Sequence, residues 1–404
     1  MAAEPEGPGE IRRIGVLGAG TMGAGIAQVA AEAGLEVMLH DRLSGAVNRA
    51  RERIGGFLAR KVEKGQLSAE AAGAATARLG MAADLESLAD ADLVIEAIPE
   101  DLELKREAFR RLDAAASVTT ILATNTSSLS VAEIASATTH PQRVLGMHFF
   151  NPVPIMALVE LIPGPLTDAA LTDAALRAVR RLGKTPVLAA DTPGFIVNRV
   201  ARPFYLEALR IVGSGGAGIE QVDAAMRGVG FRMGPFELID TIGADVNLAV
   251  SRSIFEAFAH EPRYAPHPIQ ESLVDAGRLG RKTSGGFYDY AADGARGAPW
   301  DGLDSVPSEP ISGDEIATRI LATIVNEAAS AVADAVAAPE AIDLAMRLGT
   351  NYPHGPLAWG ERIGLASVVR MLEELHAGQP DGRYRVVPLL RSLAEPGGSF
   401  FTAD

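Results

Sequence analysis

The 404-residue sequence contains no cysteine. Disulfide bonds, thiolate nucleophiles and cysteine-ligated metals are thereby excluded. Positive charge is in deficit as well. The 37 lysines and arginines face 51 acidic residues, a net charge of −14. So acidic a chain is not expected to bind nucleic acid, although a small anionic ligand reads only the local field. No apolar run is seen to reach membrane-spanning length, so no membrane contact is expected. Met1–Glu10 is rich in Pro, Gly and Glu rather than apolar, so no signal peptide is predicted and this segment is expected to fray. His, Asp and Glu do not cluster at metal-ligand spacing, so no metal is expected. The 48% hydrophobic and 22% charged residues fit an ordinary globular chain with ample core, long enough for two or three domains. A cytoplasmic enzyme is the default.

The most informative stretch present is Gly15-Val-Leu-Gly18-Ala-Gly20-Thr21-Met22-Gly23. It follows an apolar run, opens a small-residue helical run and precedes Asp41 by 18 residues. Gly18 suits the tight strand-to-helix turn. Gly20 lets backbone approach a pyrophosphate, and Gly23 lets helix pack closely on strand. The helix N-terminus offers N–H groups and a positive dipole end to phosphates. Asp41 closes the apolar run Val37–Leu39, placed to accept from a ribose 2′-hydroxyl. That favours NAD over NADP, whose 2′-phosphate would meet a carboxylate. The other reading of such a motif is a structural turn in an unrelated α/β protein.

Residues 11–190 alternate short apolar runs with helical runs. Leu93–Ala97, Thr120–Thr124, Val144–Phe149, Leu158–Ile162 and Thr185–Ala190 all read as strands. A long helical stretch between Arg42 and Leu79 carries Arg49, Arg51, Arg53, Arg60, Lys61 and Lys64. This is either a solvated helix face or a landing surface for a polyanionic ligand tail. From Thr192 strand signals stop and amphipathic helices dominate. Residues 292–312, rich in Gly, Pro, Ser and Asp, read as a linker.

The final block repeats the one before it. Val222-Asp-Ala-Ala-Met-Arg227 matches Ile342-Asp-Leu-Ala-Met-Arg347, and Glu207 matches Glu327, at an offset of 120. After one insertion Gly234-Pro235 matches Gly355-Pro356, and Ile242-Gly243 matches Ile363-Gly364, at 121. The expected architecture is an α/β Rossmann-like domain (1–190) followed by two tandemly duplicated all-α domains, 191–291 and 313–404, joined by the linker 292–312. Such a repeat usually buries an apolar face against its copy, within one chain or between chains.

Chemistry is expected where sheet meets helices. His148 ends a strand in Met147-His-Phe-Phe-Asn151, at the edge where open α/β sheets bind ligands. Glu160 interrupts the apolar strand Leu158–Ile162. A buried carboxylate is costly unless paired, and two adjacent strands would bring it to His148. A carboxylate-oriented histidine is a common proton-transfer pair. Taken alone, His148 reads as a satisfied core histidine.

GVLGAGTMGAGIA, TNTSSL, GMHFFNPVPIMALVELI, DTPGFIVNR, MGPFELIDTIGAD and GRKTSGGFYDY together resemble the L-3-hydroxyacyl-CoA dehydrogenase family across residues 11–290. The tail AMRLGTNYPHGPLAWGERIG resembles the bacterial phenylacetate-catabolism subgroup that oxidises 3-hydroxyadipyl-CoA, although the interdomain insert here is shorter. The resemblance implies an NAD-dependent oxidation of (S)-3-hydroxyacyl-CoA to 3-oxoacyl-CoA. It gives His148 as base and Glu160 as its orienting carboxylate. Ser127 resembles the serine that bonds the substrate oxygens, and Asn198 the asparagine entering from the second domain. Their ordinary readings are a helix cap before Val131–Ala135 and plain helix polarity. Thr318 stands in the Asn198 position of the second copy, which therefore looks structural. Glu100, Lys105, Asn125, Asn151 and Lys282 match cofactor positions, beside Gly18, Gly20, Thr21, Met22, Gly23 and Asp41. Ala157 and Arg232 depart from residues common in relatives. Alternatives are a 3-hydroxybutyryl-CoA dehydrogenase, a CoA-free hydroxy-acid dehydrogenase and an inactive NAD-binding structural protein. The chain is expected to be a monomer with an internal pseudo-dimer, or a homodimer.

Arg202 lies four residues beyond Asn198 on what reads as one helix, so both share a face. It is expected to pair with the terminal carboxylate of a dicarboxylic hydroxyacyl-CoA. The alternative is a salt bridge to Glu207 or Asp240.

Overall fold

A computed structural model describes residues 10–303 and 310–401. The expectations for Met1–Gly9, for linker residues 304–309 and for 402–404 lie outside the described residues. The chain divides into two compact units, 1–195 and 196–404.

The first unit runs β1 (Arg13–Leu17), α1 (Thr21–Glu32), β2 (Glu36–His40), α2 (Ala46–Glu63), α3 (Ala69–Ala77), β3 (Leu79–Met81), β4 (Leu93–Glu96), α4 (Leu102–Ala115), β5 (Ile121–Thr124), α5 (Val131–Ala135), β6 (Val144–Phe149), β7 (Leu158–Pro163), α6 (Ala169–Arg181) and β8 (Thr185–Leu188). One eight-stranded sheet has the order β3-β2-β1-β4-β5-β6-β7-β8. Every neighbouring pair is parallel except β6 and β7. Strands covered on both faces need continuous apolar runs, and β4, β5 and β6 are buried throughout. The order reverses at β1, whose neighbours are β2 and β4. That crevice is where such sheets take ligands.

The predicted strands form, with ends within two residues of expectation. The helical stretch between Arg42 and Leu79 is not single. It breaks after Glu63 into α2 and α3, because Gly65 turns the chain at φ +66°. The three-residue edge strand β3 then follows.

The second unit runs α7 (Val197–Val200), α8 (Arg202–Gly213), α9 (Ile219–Gly228), α10 (Pro235–Ile242), α11 (Ala244–Ala257), α12 (Pro268–Asp275), β9 (Tyr288–Tyr290), β10 (Arg296–Pro299), α13 (Gly313–Ala333), α14 (Pro339–Thr350), α15 (Pro356–Ile363), α16 (Leu365–Gly378) and α17 (Pro388–Leu393). Three expectations need correction here. Strand signals do not stop at Thr192: β9 and β10 pair as an antiparallel hairpin, so the predicted linker begins inside a strand pair. Asn198 and Arg202 do not share one helix, because α7 ends before Ala201. Pro203 removes a helix N–H and clashes with the preceding turn, and no proline stands in α13, which is continuous at the matching positions. Finally, α13 is long and apolar enough to cross a membrane, yet most of its residues are buried within the protein. It is the axis of the bundle, packed by α8, α9, α15, α16 and α17.

The repeat is structural. Helix starts agree at offsets of 120 (α9 to α14, α12 to α17) and 121 (α10 to α15, α11 to α16). Both copies lie in the second compact unit, and they grip each other reciprocally. Glu327 accepts from Arg199 Nε at 2.7 Å and Tyr264 Oη at 2.6 Å. Glu207 accepts from Arg319 and from Tyr384 Oη, the latter at 2.9 Å. Each donor and each glutamate is 120 residues from its counterpart. Residue i meeting j while j's counterpart meets i's is the mark of a two-fold interface.

Candidate active site

The carboxyl ends of the parallel strands share one edge of the first unit's sheet. The glycine turn follows β1, Asp41 follows β2, Glu100 lies beyond β4, Asn125 follows β5 and His148 lies near the end of β6. Gly18 adopts φ +102°, and a Cβ there would sit 2.5 Å from the Ala97 carbonyl oxygen. A Cβ on Gly23 would come within 1.9 Å of the Gly18 carbonyl oxygen, so α1 packs directly on the turn. Gly20 differs: a Cβ there would meet no atom within 4 Å. Space rather than contact surrounds it, which suits the close approach of a pyrophosphate. Gly20 also caps α1 without a side-chain hydrogen bond.

The Asp41 carboxylate is fixed by two backbone donors, Ala19 N and Leu43 N, both at 2.8 Å. With Gly18, Gly20, Thr21 and Met22 it lines a cleft of ≈ 700 Å³. The donor set fits NAD: a turn for the pyrophosphate and a carboxylate for a free ribose 2′-hydroxyl.

Further along the edge, Glu100 gathers the turn Thr126–Ser128. Its Oε1 accepts from Thr126 Oγ1 at 2.6 Å, Ser127 N at 2.8 Å and Ser127 Oγ at 3.2 Å. Burial pushes the Glu100 carboxyl up, but the Lys105 charge and these donors outweigh it and hold it below its usual value. Lys105 is itself buried. Its Nζ lies 2.6 Å from Glu96 Oε1 and 3.2 Å from Glu100 Oε2. The structure thus engages Lys105 with two carboxylates. Ser127 does not cap α5. Ser130 does, bonding Glu133 N, while Asp191 accepts from Ser130 Oγ, Val131 N and Ala132 N. Asn125 Oδ1 accepts from Phe149 N at 2.8 Å, tying the ends of β5 and β6.

Antiparallel pairing sets His148 opposite Glu160. His148 Nδ1 lies 2.7 Å from Glu160 Oε2, and both side chains are buried. A carboxylate only accepts, so Nδ1 carries the proton and Nε2 is left as a base. Phe150 and Phe195 pack on the imidazole, with centroids at 4.5 and 5.9 Å. The pair can take a proton and hold the resulting imidazolium.

A second cleft, ≈ 550 Å³, lies between α1, α2 and the 151–155 loop. It holds Asn151, Thr21 and Phe57, with Arg53, Arg60, Lys61 and Lys64 at its walls. Four of the six basic residues singled out in the sequence therefore share one cavity.

In the second unit, Asn198 lies on α7 and its carbonyl accepts from Arg202 Nε at 3.0 Å. Lys282 Nζ pairs with Asp245 at 2.6 Å. The alternative partners considered for Arg202 are otherwise engaged: Glu207 as above, and Asp240 by Phe287 N, Tyr288 N and Tyr290 Oη.

Sequence reasoning missed Glu96 and Asp191. Glu96 is fully buried, and burial raises its carboxyl pKa against the pull of Lys105 and Thr124. The signal was available, since a carboxylate ending the apolar run Leu93–Ile95 needs a partner just as Glu160 does.

A dinucleotide cleft at the strand reversal and a carboxylate-held histidine on the same edge define a nicotinamide-dependent oxidoreductase. Comparison with known proteins gives its kind. The 3-hydroxyacyl-CoA dehydrogenase NAD binding domain matches residues 13–192, and the C-terminal domain of the same enzymes matches 194–290 and 316–399. The chain belongs to the 3-hydroxyacyl-CoA dehydrogenase family and is an NAD-dependent oxidoreductase. It is 38% identical to the 3-hydroxyadipyl-CoA dehydrogenase of Escherichia coli K12, covering 95% of this chain and 98% of that one. It is 44% identical to a 3-hydroxybutyryl-CoA dehydrogenase of Bradyrhizobium diazoefficiens over 72% of this chain and 98% of that one. A solved structure of 3-hydroxybutyryl-CoA dehydrogenase from Escherichia coli K12 superposes with a TM-score of 0.88 at 37% identity, covering 95% and 98% of the two chains.

Proposed function

We propose that this enzyme oxidises (S)-3-hydroxyacyl-CoA with His148 as general base, and that its preferred substrate is 3-hydroxyadipyl-CoA, formed in bacterial phenylacetate catabolism in the cytoplasm. The observation that carries the base assignment is the buried 2.7 Å contact between His148 Nδ1 and Glu160 Oε2. His148 Nε2 takes the proton of the 3-hydroxyl, and Glu160 holds the imidazolium that results. NAD, when bound, supplies the hydride acceptor. Ser127, held by Glu100, and Asn198 orient the substrate oxygens. Lys105 acts on this turn through Glu100. Asp41 selects NAD, while Asn125, Asn151 and Lys282 complete the cofactor surroundings. The cleft with Arg53, Arg60 and Lys64 receives the CoA phosphates, for which local positive charge outweighs the acidity of the whole chain.

The dicarboxylic substrate is supported by the near-complete mutual coverage with the 3-hydroxyadipyl-CoA dehydrogenase relative, although the solved 3-hydroxybutyryl-CoA dehydrogenase is covered to the same extent, so the choice turns on the acyl end of the site. The second reading, 3-hydroxybutyryl-CoA, is supported by the higher identity of the single-copy relative. NADH formation across C4 to C8 3-hydroxyacyl-CoAs, with and without a terminal carboxylate, separates them. No turnover of any CoA ester would overturn the function itself.

A further inference from the structure

Arg202 is 4% exposed, and among the described residues no carboxylate pairs with it. Burial alone pushes its guanidinium pKa down, with the phenols of Tyr205 and Tyr352 as its ionisable neighbours. The guanidinium donates to the Asn198 carbonyl and, at 3.3 Å, to Ser251 Oγ, and it stacks over the Tyr205 ring at 4.9 Å. Gln270 Nε2 bridges Asn247 Oδ1 at 2.7 Å and Ser251 Oγ at 3.2 Å. Two buried polar atoms in this group lack any partner: Asn247 Nδ2 and Tyr352 Oη. An unpaired buried cation and orphaned donors are costly.

The duplication shows that the fold does not need this cluster. The positions matching Arg202, Asn247, Ser251 and Gln270 are Ala322, Val368, Leu372 and Leu390, all buried hydrocarbon. Tyr352 itself stands where the first copy has Phe231, so its hydroxyl is the only addition. The same helical scaffold is thus built once with an apolar interior and once with a polar one. The polar version lies one turn from Asn198.

We propose that this cluster is the receptor for the terminal carboxylate of the acyl chain, with Arg202 as its cation and Tyr352, from the second copy, as a neutral donor. A guanidinium fork matches one carboxylate in two parallel hydrogen bonds. A single cation among phenols, amides and a hydroxyl suits a monoanion, whereas CoA phosphates call for several cations. The second helical copy then contributes to specificity without carrying proton-transfer chemistry. This inference rests on the 3-hydroxyacyl-CoA reading.

The test is the ratio of kcat/KM for 3-hydroxyadipyl-CoA to that for 3-hydroxyhexanoyl-CoA, equal in length but lacking the carboxylate. The wild-type ratio should exceed unity, and Arg202→Leu should lower it by about 10-fold or more, the weight of a lost charged hydrogen bond. Tyr352→Phe restores the residue of the first copy and should lower the ratio several-fold. It decides the matter if Arg202→Leu does not fold. An unchanged ratio in a folded Arg202→Leu, or in Tyr352→Phe when that protein fails, overturns the receptor and leaves the dehydrogenase reading standing. A wild type that oxidises 3-hydroxybutyryl-CoA but neither six-carbon ester also overturns the receptor, whereas no turnover of any CoA ester overturns the dehydrogenase reading instead.

Discussion

Replacing Gly20 by alanine should separate stability from cofactor affinity. The backbone at Gly20 has φ −69° and ψ −162°, which alanine adopts freely, and a Cβ meets nothing within 4 Å. Alanine is a poorer N-cap than glycine, but it lowers the entropy of the unfolded chain. The two effects offset to within about 1 kcal/mol. Apo-protein unfolding should therefore hardly move. The added methyl instead occupies the space that a pyrophosphate must enter. Displacing it by ~1 Å costs on the order of 10- to 100-fold in affinity, about 1.4–2.8 kcal/mol. Gly23→Ala reverses the pattern. Its Cβ would lie 1.9 Å from the Gly18 carbonyl oxygen, so the turn or the helix must move. Such overpacking costs ~1–3 kcal/mol of stability. Calorimetric NAD titration and denaturant unfolding of both variants read the two effects. An unchanged NAD dissociation constant in Gly20→Ala would falsify the placement of the pyrophosphate at this turn.

His148→Gln should lower turnover by ~10²–10⁴-fold while NAD titration stays near wild type, and Glu160→Gln should also slow turnover. Near-normal rates in the histidine variant remove it from proton transfer. Asp41→Ala should weaken NAD and narrow its advantage over NADP, read by titration with both cofactors; unchanged affinities mean that Asp41 does not face the ribose. Asp113 sits at about 2, since donors from Thr139 and Arg143 outweigh the upward push of burial. Its contribution to stability should be complete above pH ~4 and be lost as pH falls toward 2, and Asp113→Asn should flatten that limb of an acid-unfolding series. Deleting residues 312–404 strips Arg199 of Glu327 and Glu207 of Arg319. Breaking one buried pair alone costs about 3–5 kcal/mol, so the truncated chain should aggregate or dimerise in light scattering. A stable, active monomer contradicts this.

Much of the first unit was legible because its physics is local. A strand buried on both faces must be apolar, and a glycine turn between strand and helix leaves a spacing that can be counted. Glu160 was legible for the opposite reason, as a charge where hydrocarbon belonged. Glu96 obeys the same rule, but it ends its strand, where polar residues are common and the signal is weaker than at Glu160. β3 spans three residues at a sheet edge, too short for a period to show. The break at Ala201 was hidden because a proline near a helix start is ordinary, and nothing local marks Arg202 rather than Val197 as that start. The duplication was visible from residue matches. Its reciprocity was not, because a charge partner 120 residues away leaves no periodic trace.

The two copies differ in ways that share one direction. The first keeps Asn198, a proline break and a polar interior around Arg202. The second has Thr318, an unbroken α13 and Ala322, Val368, Leu372 and Leu390 in the matching places. Yet Glu207 and Glu327, with their arginines and tyrosines, are retained on both sides. A fused pair of identical folds need keep only what holds the pair together, and those reciprocal contacts are what remains symmetric. The asymmetric positions are those near α7 and the start of α8. A self-complementary face satisfied within one chain leaves no unpaired glutamate for a second chain to meet there. The fused second copy therefore supplies, within one chain, the reciprocal contacts that a two-fold partner would otherwise have to make.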